Sequence, residues 1–146
     1  MTTVAKSRLI SHPPAAVWKA LADFGAISRW APGVEHSSVA SATTDGVGAV
    51  RRVQLGRIAL LERVTDWLPD ERLRYAITGL PPAAGAVETT WTLLPQDGGT
   101  LTTMSTTIDA VPGPPGKVVS RVLRRKLGSE SSRMLAGLAD YLEELS

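Results

Sequence analysis

A series of short alternating segments, followed by one long helical segment, most constrains how this chain can fold. Turn residues recur at Asp45-Gly46, Gly56-Arg57, Leu68-Pro69-Asp70 and Asp97-Gly98-Gly99, and a proline-rich loop covers residues 79–85. Between these turns, apolar and polar side chains alternate, which is typical of strands with one buried face. Consecutive strands joined by short turns pair antiparallel, so the pattern predicts a meander of about six strands.

The two ends of the chain frame this meander. Residues 3–10 alternate as a first strand, and the proline pair after Ser11 begins a predicted helix that stops at Gly25. AISRW gives at most one more helical turn before Pro32, so two short helices are expected after the first strand. After VPGPPG the periodicity is helical to the C-terminus, with one apolar stripe in each half. The stripes are Val118, Val122, Leu123 and Leu127, then Met134, Leu138, Leu142 and Leu145. At Gly128, between them, the helix either bends or breaks, or continues as a rod of roughly 42 Å.

The composition is that of an ordinary globular protein. The 146 residues are 43% hydrophobic and 21% charged, and no apolar run approaches the ~20 residues of a transmembrane helix. We therefore expect one α+β domain over residues 1–146, with helices covering one face of a curved antiparallel sheet. The first residues lack the apolar segment of a signal peptide, so a cytoplasmic location is expected. The absence of cysteine excludes disulfides, thiolate nucleophiles and cysteine-based zinc sites.

Basic residues crowd the start of the terminal helix, although the net charge of the chain is only +2. They are Lys117, Arg121, Arg124, Arg125, Lys126 and Arg133. Such a cluster either attracts an anionic surface or forms the solvated face of a helix, and solvated faces are the more common case. No aromatic side chain interleaves with these charges, which argues against single-stranded nucleic acid. We expect no nucleic-acid partner, and membrane contact is the least favoured interpretation.

An arginine and a glutamate lie on the apolar face of the predicted sheet. A two-residue turn at Gly56-Arg57 places Arg51 directly opposite Glu62 on the neighbouring strand. A hairpin around Leu68-Pro69 then places Glu62 opposite Tyr75, so that a polar row crosses the concave face. The same hairpin pairs Leu60 with Ile77. In the last hairpin, Val87, Thr89, Trp91 and Leu93 are predicted beside Thr102, Met104, Thr106 and Ile108.

Two interpretations of this polar row are open. It is either an ion pair capped by a tyrosine that holds the register, or the polar floor of a cavity beneath the long helix. A dry core makes an imperfectly paired charge expensive, whereas a cavity that holds water or a polar ligand relieves that cost. We expect a cavity with apolar walls and a few convergent polar groups. The predicted ligand contacts are Arg51, Glu62, Tyr75, Leu60, Ile77, Trp91, Met104, Leu138 and Leu142.

The order and spacing of several motifs resemble a known family. The motifs are PPAAVWKALADFGAISRWAP, GVGAVRRV, ERVTDWLPDERLRYAITG, a tryptophan-containing strand ending in GGT, and the long terminal helix. Together they resemble the START-like, Bet v 1-like (SRPBCC) superfamily, and within it the bacterial polyketide cyclase/dehydrase-like proteins. The resemblance covers essentially the whole chain. It implies a helix-grip fold, in which an antiparallel sheet wraps around a long C-terminal helix and encloses a hydrophobic cavity.

The resemblance also bears on function and on single residues. Members bind lipids, sterols, plant hormones or polyketides, and only some of them are enzymes, so the fold alone does not decide the activity. Plant abscisic acid receptors place a glutamate in the pocket at a position that resembles Glu62. The same alignment places Glu35 in the pocket, whereas a hairpin at Asp45-Gly46 turns His36, Ser38 and Ala40 inward.

Three functions therefore compete. The first is binding of a hydrophobic or amphipathic small molecule, such as a lipid or a polyketide, in the cavity. The second is a polyketide cyclase or aromatase, with Glu62 as catalytic base and Tyr75 or Arg51 as donor to the developing enolate. The third is docking of the basic region to a membrane or a partner. No cofactor or metal is expected, and the loop at Gly79-Leu80-Pro81-Pro82 is a candidate gate of the cavity.

Overall fold

Seven antiparallel strands and one long helix dominate the computed structural model, which describes residues 1–146. The strands are β1 (Thr2–Ile10), β2 (His36–Val39), β3 (Val50–Leu55), β4 (Ile58–Leu68), β5 (Arg72–Thr78), β6 (Ala86–Gln96) and β7 (Gly99–Asp109). They form one curved sheet in the order β1-β7-β6-β5-β4-β3-β2. The helices are α1 (Pro14–Ala22), 3₁₀ turns at Phe24–Arg29 and Pro82–Ala84, and α2 (Pro114–Leu145). This arrangement is the predicted α+β helix-grip fold.

Two hairpins have the register predicted from their turns. Gly56 and Gly98 adopt positive φ angles of 61° and 77°, as tight hairpin turns require. Arg51 accordingly lies opposite Glu62, and Trp91 lies opposite Met104. The concave face of these strands carries the predicted residues.

The β4–β5 hairpin differs from its prediction. Glu62 lies opposite Ile77 and not opposite Tyr75, so both predicted pairings of this hairpin are wrong. The loop is longer than predicted, because Leu68 lies opposite Arg72 and residues 69–71 connect the strands, which displaces the pairing next to the turn by three residues. A bulge between Val64 and Asp66, where β4 contains an extra residue, reduces this displacement to two residues for the rest of β4. Tyr75 therefore keeps its place on the concave face, where it is fully buried.

Strand β2 also corrects an expectation. Glu35 and His36 are both exposed, so neither faces the interior, and the predicted inward set of His36, Ser38 and Ala40 is wrong. The turn at Asp45-Gly46 belongs to a long connection rather than a two-residue hairpin, and it does not set the register of β2 against β3. Ser37 points inward instead, donating a hydrogen bond to the Gly25 carbonyl at 2.8 Å.

Helix α2 is continuous over 32 residues and passes Gly128 without a break, for a length of about 48 Å. It lies along β1, and a Cβ at Gly128 would meet the Lys6 side chain at 3.9 Å. The predicted stripe of its first half is correct for Leu123 and Leu127, which pack against the sheet, and wrong for Val118 and Val122, which are exposed. Val119 packs inward with the two leucines, and Leu145 at the end of the second predicted stripe is exposed. No helix combines the length and apolar character needed to cross a membrane.

The interior consists of two separate apolar clusters. The larger cluster joins α1, the Phe24–Arg29 turn, the sheet and the second half of α2, where Leu135, Leu138 and Leu142 are buried. The smaller cluster contains Ala84, Val87 and Ile108, against which the first half of α2 packs. The two halves of one helix thus rest on different cores.

Candidate functional site

The site begins with the buried ion pair between β3 and β4. Arg51 Nε donates to Glu62 Oε1 at 2.7 Å, and the two side chains are 3% and 10% exposed. Arg51 Nη1 donates to the Phe24 carbonyl at 3.0 Å. Its guanidinium lies 3.9 Å from the ring centroid of Phe24 and 4.7 Å from that of Tyr75. Arg51, Glu62 and Tyr75 therefore meet, although through the packing of Tyr75 and not through the predicted pairing.

Tyr75 links this ion pair to the rest of the interior. Its hydroxyl oxygen accepts a hydrogen bond of 3.1 Å from Trp91 Nε1. Burial raises the pKa of Tyr75 to about 12, with a further contribution from the negative charge of Glu62 that Arg51 partly offsets. The phenol is therefore neutral near pH 7, and its own O–H remains available to donate a hydrogen bond.

A polar layer separates the two apolar clusters. Thr89 and Thr106 lie opposite each other on β6 and β7, and their hydroxyls share a buried hydrogen bond of 2.8 Å. On one side of them along these strands is the pair Trp91 and Met104 of the larger cluster. On the other side is the pair Val87 and Ile108 of the smaller cluster. The register therefore places hydroxyl groups between two regions of hydrocarbon.

Helix α2 contributes a buried hydroxyl of its own. Ser131 is completely buried, and its Oγ has no hydrogen-bond partner. It lies one helical turn from Leu127 and from Leu135, which both pack inward. Ser131 is not among the site residues predicted from the sequence. The sequence does contain a signal for this buried hydroxyl. Ser131 lies four residues after Leu127 and four before Leu135, so it occupies a position on the apolar stripe of the helix.

The remaining predicted contacts are distributed through a packed interior. Tyr75, Trp91, Met104, Leu138 and Leu142 all belong to the larger cluster. Leu60 is buried, and Ile77 packs partly buried against both clusters. One surface cleft lies between the start of β1 and the start of α2, and another lies between the end of β1 and the end of α2; none of the predicted contacts lines either of them. The ion pair thus satisfies its packing and hydrogen-bonding requirements without a ligand, and a ligand-binding role for these nine residues stays a prediction.

The candidate gate loop closes the end of the interior near the smaller cluster. Ala84 of its 3₁₀ turn is buried in that cluster, and Ala83 accepts a hydrogen bond of 3.1 Å from the Val111 N–H. Gly79 has a φ angle of 104°, a conformation that favours glycine. No group of three or more His, Asp or Glu side chains that could hold a metal ion comes together.

Comparison with known proteins agrees with this architecture. Residues 1–143 match the family described as polyketide cyclase/dehydrase and lipid transport. No curated protein sequence matches the chain. A solution NMR structure of a protein from Thermobifida fusca is 25% identical, with a TM-score of 0.83, and the alignment covers 100% of this chain and 96% of that one.

Two further structures share the fold. The Zhui aromatase/cyclase from Streptomyces sp. R1128 is 17% identical, with a TM-score of 0.81 and coverage of 97% of this chain and 93% of that one. Ara h 8.0201 is 20% identical, with a TM-score of 0.71 and coverage of 98% of both chains. At these identities the similarity establishes the fold, and the function has to be argued from the residues of this chain.

Proposed function

Because the chain belongs to the polyketide cyclase/dehydrase and lipid transport family, a START-like and Bet v 1-like group, we propose that it binds a hydrophobic or amphipathic small molecule between the concave face of the sheet and α2. The observation that carries this proposal is the unpartnered hydroxyl of Ser131, which lies on α2 between Leu127 of the smaller cluster's surroundings and Leu135 of the larger cluster. A ligand there would have apolar ends and one polar group near its middle or at one end.

The cost of the Ser131 hydroxyl supports a binding role. A buried hydroxyl without a partner destabilises a fold by about 1–3 kcal/mol, and an alanine at this position would avoid that cost. Leu127 and Leu135, one turn away on either side, pack inward, so an apolar side chain would also suit the surroundings of residue 131. A ligand carbonyl or hydroxyl would provide the missing partner. The Tyr75 O–H and the Glu62 carboxylate would be further polar contacts, with Leu60 and Ile77 among the walls.

Entry of a ligand requires the first half of α2 to move. Drug-sized ligands occupy pockets of about 300–1,000 Å³, whereas Ser131 is completely buried and lines neither of the two clefts. The weakest packing is at the smaller cluster, where Leu123 and Leu127 of α2 are only partly buried. Regions with few buried apolar contacts open at the lowest free energy. We therefore expect the ligand to displace the first half of α2 together with the loop over residues 79–85.

Calorimetric titration with dodecanoate, an amphipathic probe, tests the proposal. We expect saturable binding to the wild-type protein and an affinity about five- to tenfold lower for Ser131→Ala, since one hydrogen bond contributes about 1 kcal/mol. Ser132→Ala is the matched control, because Ser132 is the next residue of the same helix and is exposed. Absence of saturable binding, or equal affinities of the Ser131→Ala and Ser132→Ala proteins, would refute the proposal.

A second candidate function is polyketide cyclisation, and the state of Tyr75 favours it. Its neutral phenol keeps a free O–H in an apolar interior, where a donor to an enolate oxygen is most effective. Glu62 would act as the base, although its Oε1 is engaged by Arg51. With a short poly-β-ketone thioester as substrate, Glu62→Gln is expected to abolish turnover and to retain binding. Equal losses of binding and turnover would identify Glu62 as an anchor only.

A further inference from the structure

The start of α2 and the connection before it form a strongly basic surface. Residues 110–129 contain five basic side chains and no acidic one. These are Lys117, Arg121, Arg124, Arg125 and Lys126. None of the five forms a salt bridge, whereas Arg51, Arg72 and Arg133 elsewhere in the chain are paired with carboxylates. We refer to residues 110–129 as the basic segment.

The second half of α2 shows the opposite composition. Residues 130–146 contain four acidic side chains and one basic side chain. A helix face that only needs to be solvated usually mixes both signs of charge, because i,i+4 pairs of opposite sign stabilise it. The separation of charge along α2 is therefore not explained by solubility, and it concentrates positive potential at one end of the molecule.

A cleft lies beside the basic segment. It has a volume of about 330 Å³ and separates the start of β1 from the first turns of α2. Lys117, Arg121 and Arg124 line one wall of this cleft, and no carboxylate lines it. The hydroxyls of Thr2 and Ser120 share a hydrogen bond of 3.0 Å across it. Three unpaired cations and two hydroxyls are suitable partners for the oxygens of a phosphate group.

Apolar side chains are exposed among these charges. Val118 and Val122 lie one turn apart on the outer face of α2 and are 58% and 60% exposed. Val111, in the connection before the helix, is 42% exposed and also lines the cleft, as does Met1. The phosphate backbone of a soluble polyanion such as nucleic acid has no hydrocarbon surface against which these side chains could be buried. A surface that combines anionic groups with hydrocarbon matches both parts of the basic segment.

We propose that the basic segment docks onto an anionic lipid bilayer, with a lipid phosphate in the cleft and Val118 and Val122 inserted at the level of the headgroups. Interfacial helices combine basic residues with an exposed apolar strip in this way. Each basic side chain near an anionic membrane surface strengthens binding about fivefold, which makes several such contacts sufficient for reversible binding. The proposal is independent of the ligand site, because it uses no residue of the polar layer.

Sedimentation with vesicles tests the docking. The vesicles contain phosphatidylcholine alone or a mixture of phosphatidylcholine and phosphatidylglycerol. We expect binding only to the mixed vesicles, with a partition coefficient that falls as salt is added. Arg121→Glu with Arg124→Glu should lower this coefficient about 100-fold or more, and Val118→Ser with Val122→Ser about tenfold.

A charge-matched control and defined negative results complete the experiment. Arg52 and Arg63 are exposed on the face of the sheet opposite to the ion pair, and reversing both should change the partition coefficient less than about threefold. Equal binding to both kinds of vesicle, no binding to the mixed vesicles, or an equal effect of the control would overturn the proposal. Full binding by the valine variant would overturn insertion and show that charge alone accounts for the binding to vesicles. Dodecanoate titrations without vesicles report on the ligand site separately.

Discussion

Replacement of Glu62 by glutamine removes one charge of the buried pair and leaves the shape of the side chain almost unchanged. The Arg51 guanidinium would then remain packed against the rings of Phe24 and Tyr75 with no counter-ion. Removing one partner of a buried ion pair costs about 3–5 kcal/mol, because the remaining charge is neither solvated nor compensated. For a domain of this size, about 2–4 °C of melting temperature corresponds to each kcal/mol, so we expect a decrease of roughly 6–20 °C.

A double variant that removes both charges separates the effect of charge on stability from the effect of packing. Arg51→Met combined with Glu62→Leu removes both charges and keeps most of the volume, and such exchanges are neutral or stabilising by about 1–4 kcal/mol. The double variant loses the hydrogen bond to the Phe24 carbonyl, which offsets about 1 kcal/mol of that gain. We therefore expect the double variant to be more stable than Glu62→Gln alone.

Urea unfolding, followed by tryptophan fluorescence and circular dichroism, measures these free energies. Asp66→Asn is the matched control, because Asp66 pairs with Arg72 where the two side chains are 29% and 43% exposed. Exposed pairs contribute about 0–1 kcal/mol. A cost below about 1 kcal/mol for Glu62→Gln would refute a dry, structural ion pair and would indicate that the pair lies in a hydrated cavity.

Three further predictions concern stability. Gly128→Ala should stabilise the protein by about 0.5–1 kcal/mol, because a Cβ at this position makes only ordinary van der Waals contact. Gly137→Ala should destabilise the protein by about 1–3 kcal/mol, because its Cβ would clash with the Trp30 carbonyl and the Pro32 ring. Equal urea midpoints for the two variants would contradict this prediction. Ser131→Ala should raise the urea midpoint of the ligand-free protein while it weakens dodecanoate binding, and a lowered midpoint would show that the hydroxyl has a structural partner. Folding raises the pKa of Tyr75 from 10.0 to about 12, so the neutral phenol contributes fully to stability below pH 10 and this contribution is lost as the pH rises towards 12. Urea midpoints measured across that range should fall for the wild-type protein, and Tyr75→Phe should lack this part of the decrease.

The sequence was most informative where a turn determines the pairing of its strands. The turns at Gly56-Arg57 and Asp97-Gly98 allowed the registers of two hairpins, and with them the contact between Arg51 and Glu62, to be predicted correctly. Between β4 and β5, the loop over residues 69–71 is longer than the predicted turn, and the bulge before Asp66 shifts the register once more. Alternation encodes neither the length of this loop nor a bulge, which depends on local twist and packing. The long connection before β3 had the same effect on the expectation for His36.

For α2, the difficulty was to predict which face of the helix is buried. In its first half, apolar residues occur on both faces, so periodicity alone did not distinguish the exposed Val118 from the partly buried Val119. Tertiary contacts with the small cluster decide between them. Ser131 was not predicted because a small polar residue at one position of an apolar stripe does not belong to the apolar pattern. A buried polar group of this kind is recognised only once its neighbours in space are known.

The division of the interior into two clusters has a mechanical consequence for α2. Its second half is held by Leu135, Leu138 and Leu142 and by the close approach of Gly137 to the Trp30 carbonyl. Its first half rests on a much smaller apolar surface. A single unbroken helix should therefore show two levels of amide hydrogen exchange, slow in the anchored half and fast in the other. A force or a ligand that acts on the first turns of α2 would therefore displace and bend that half of the helix, while the second half stays packed against the larger cluster.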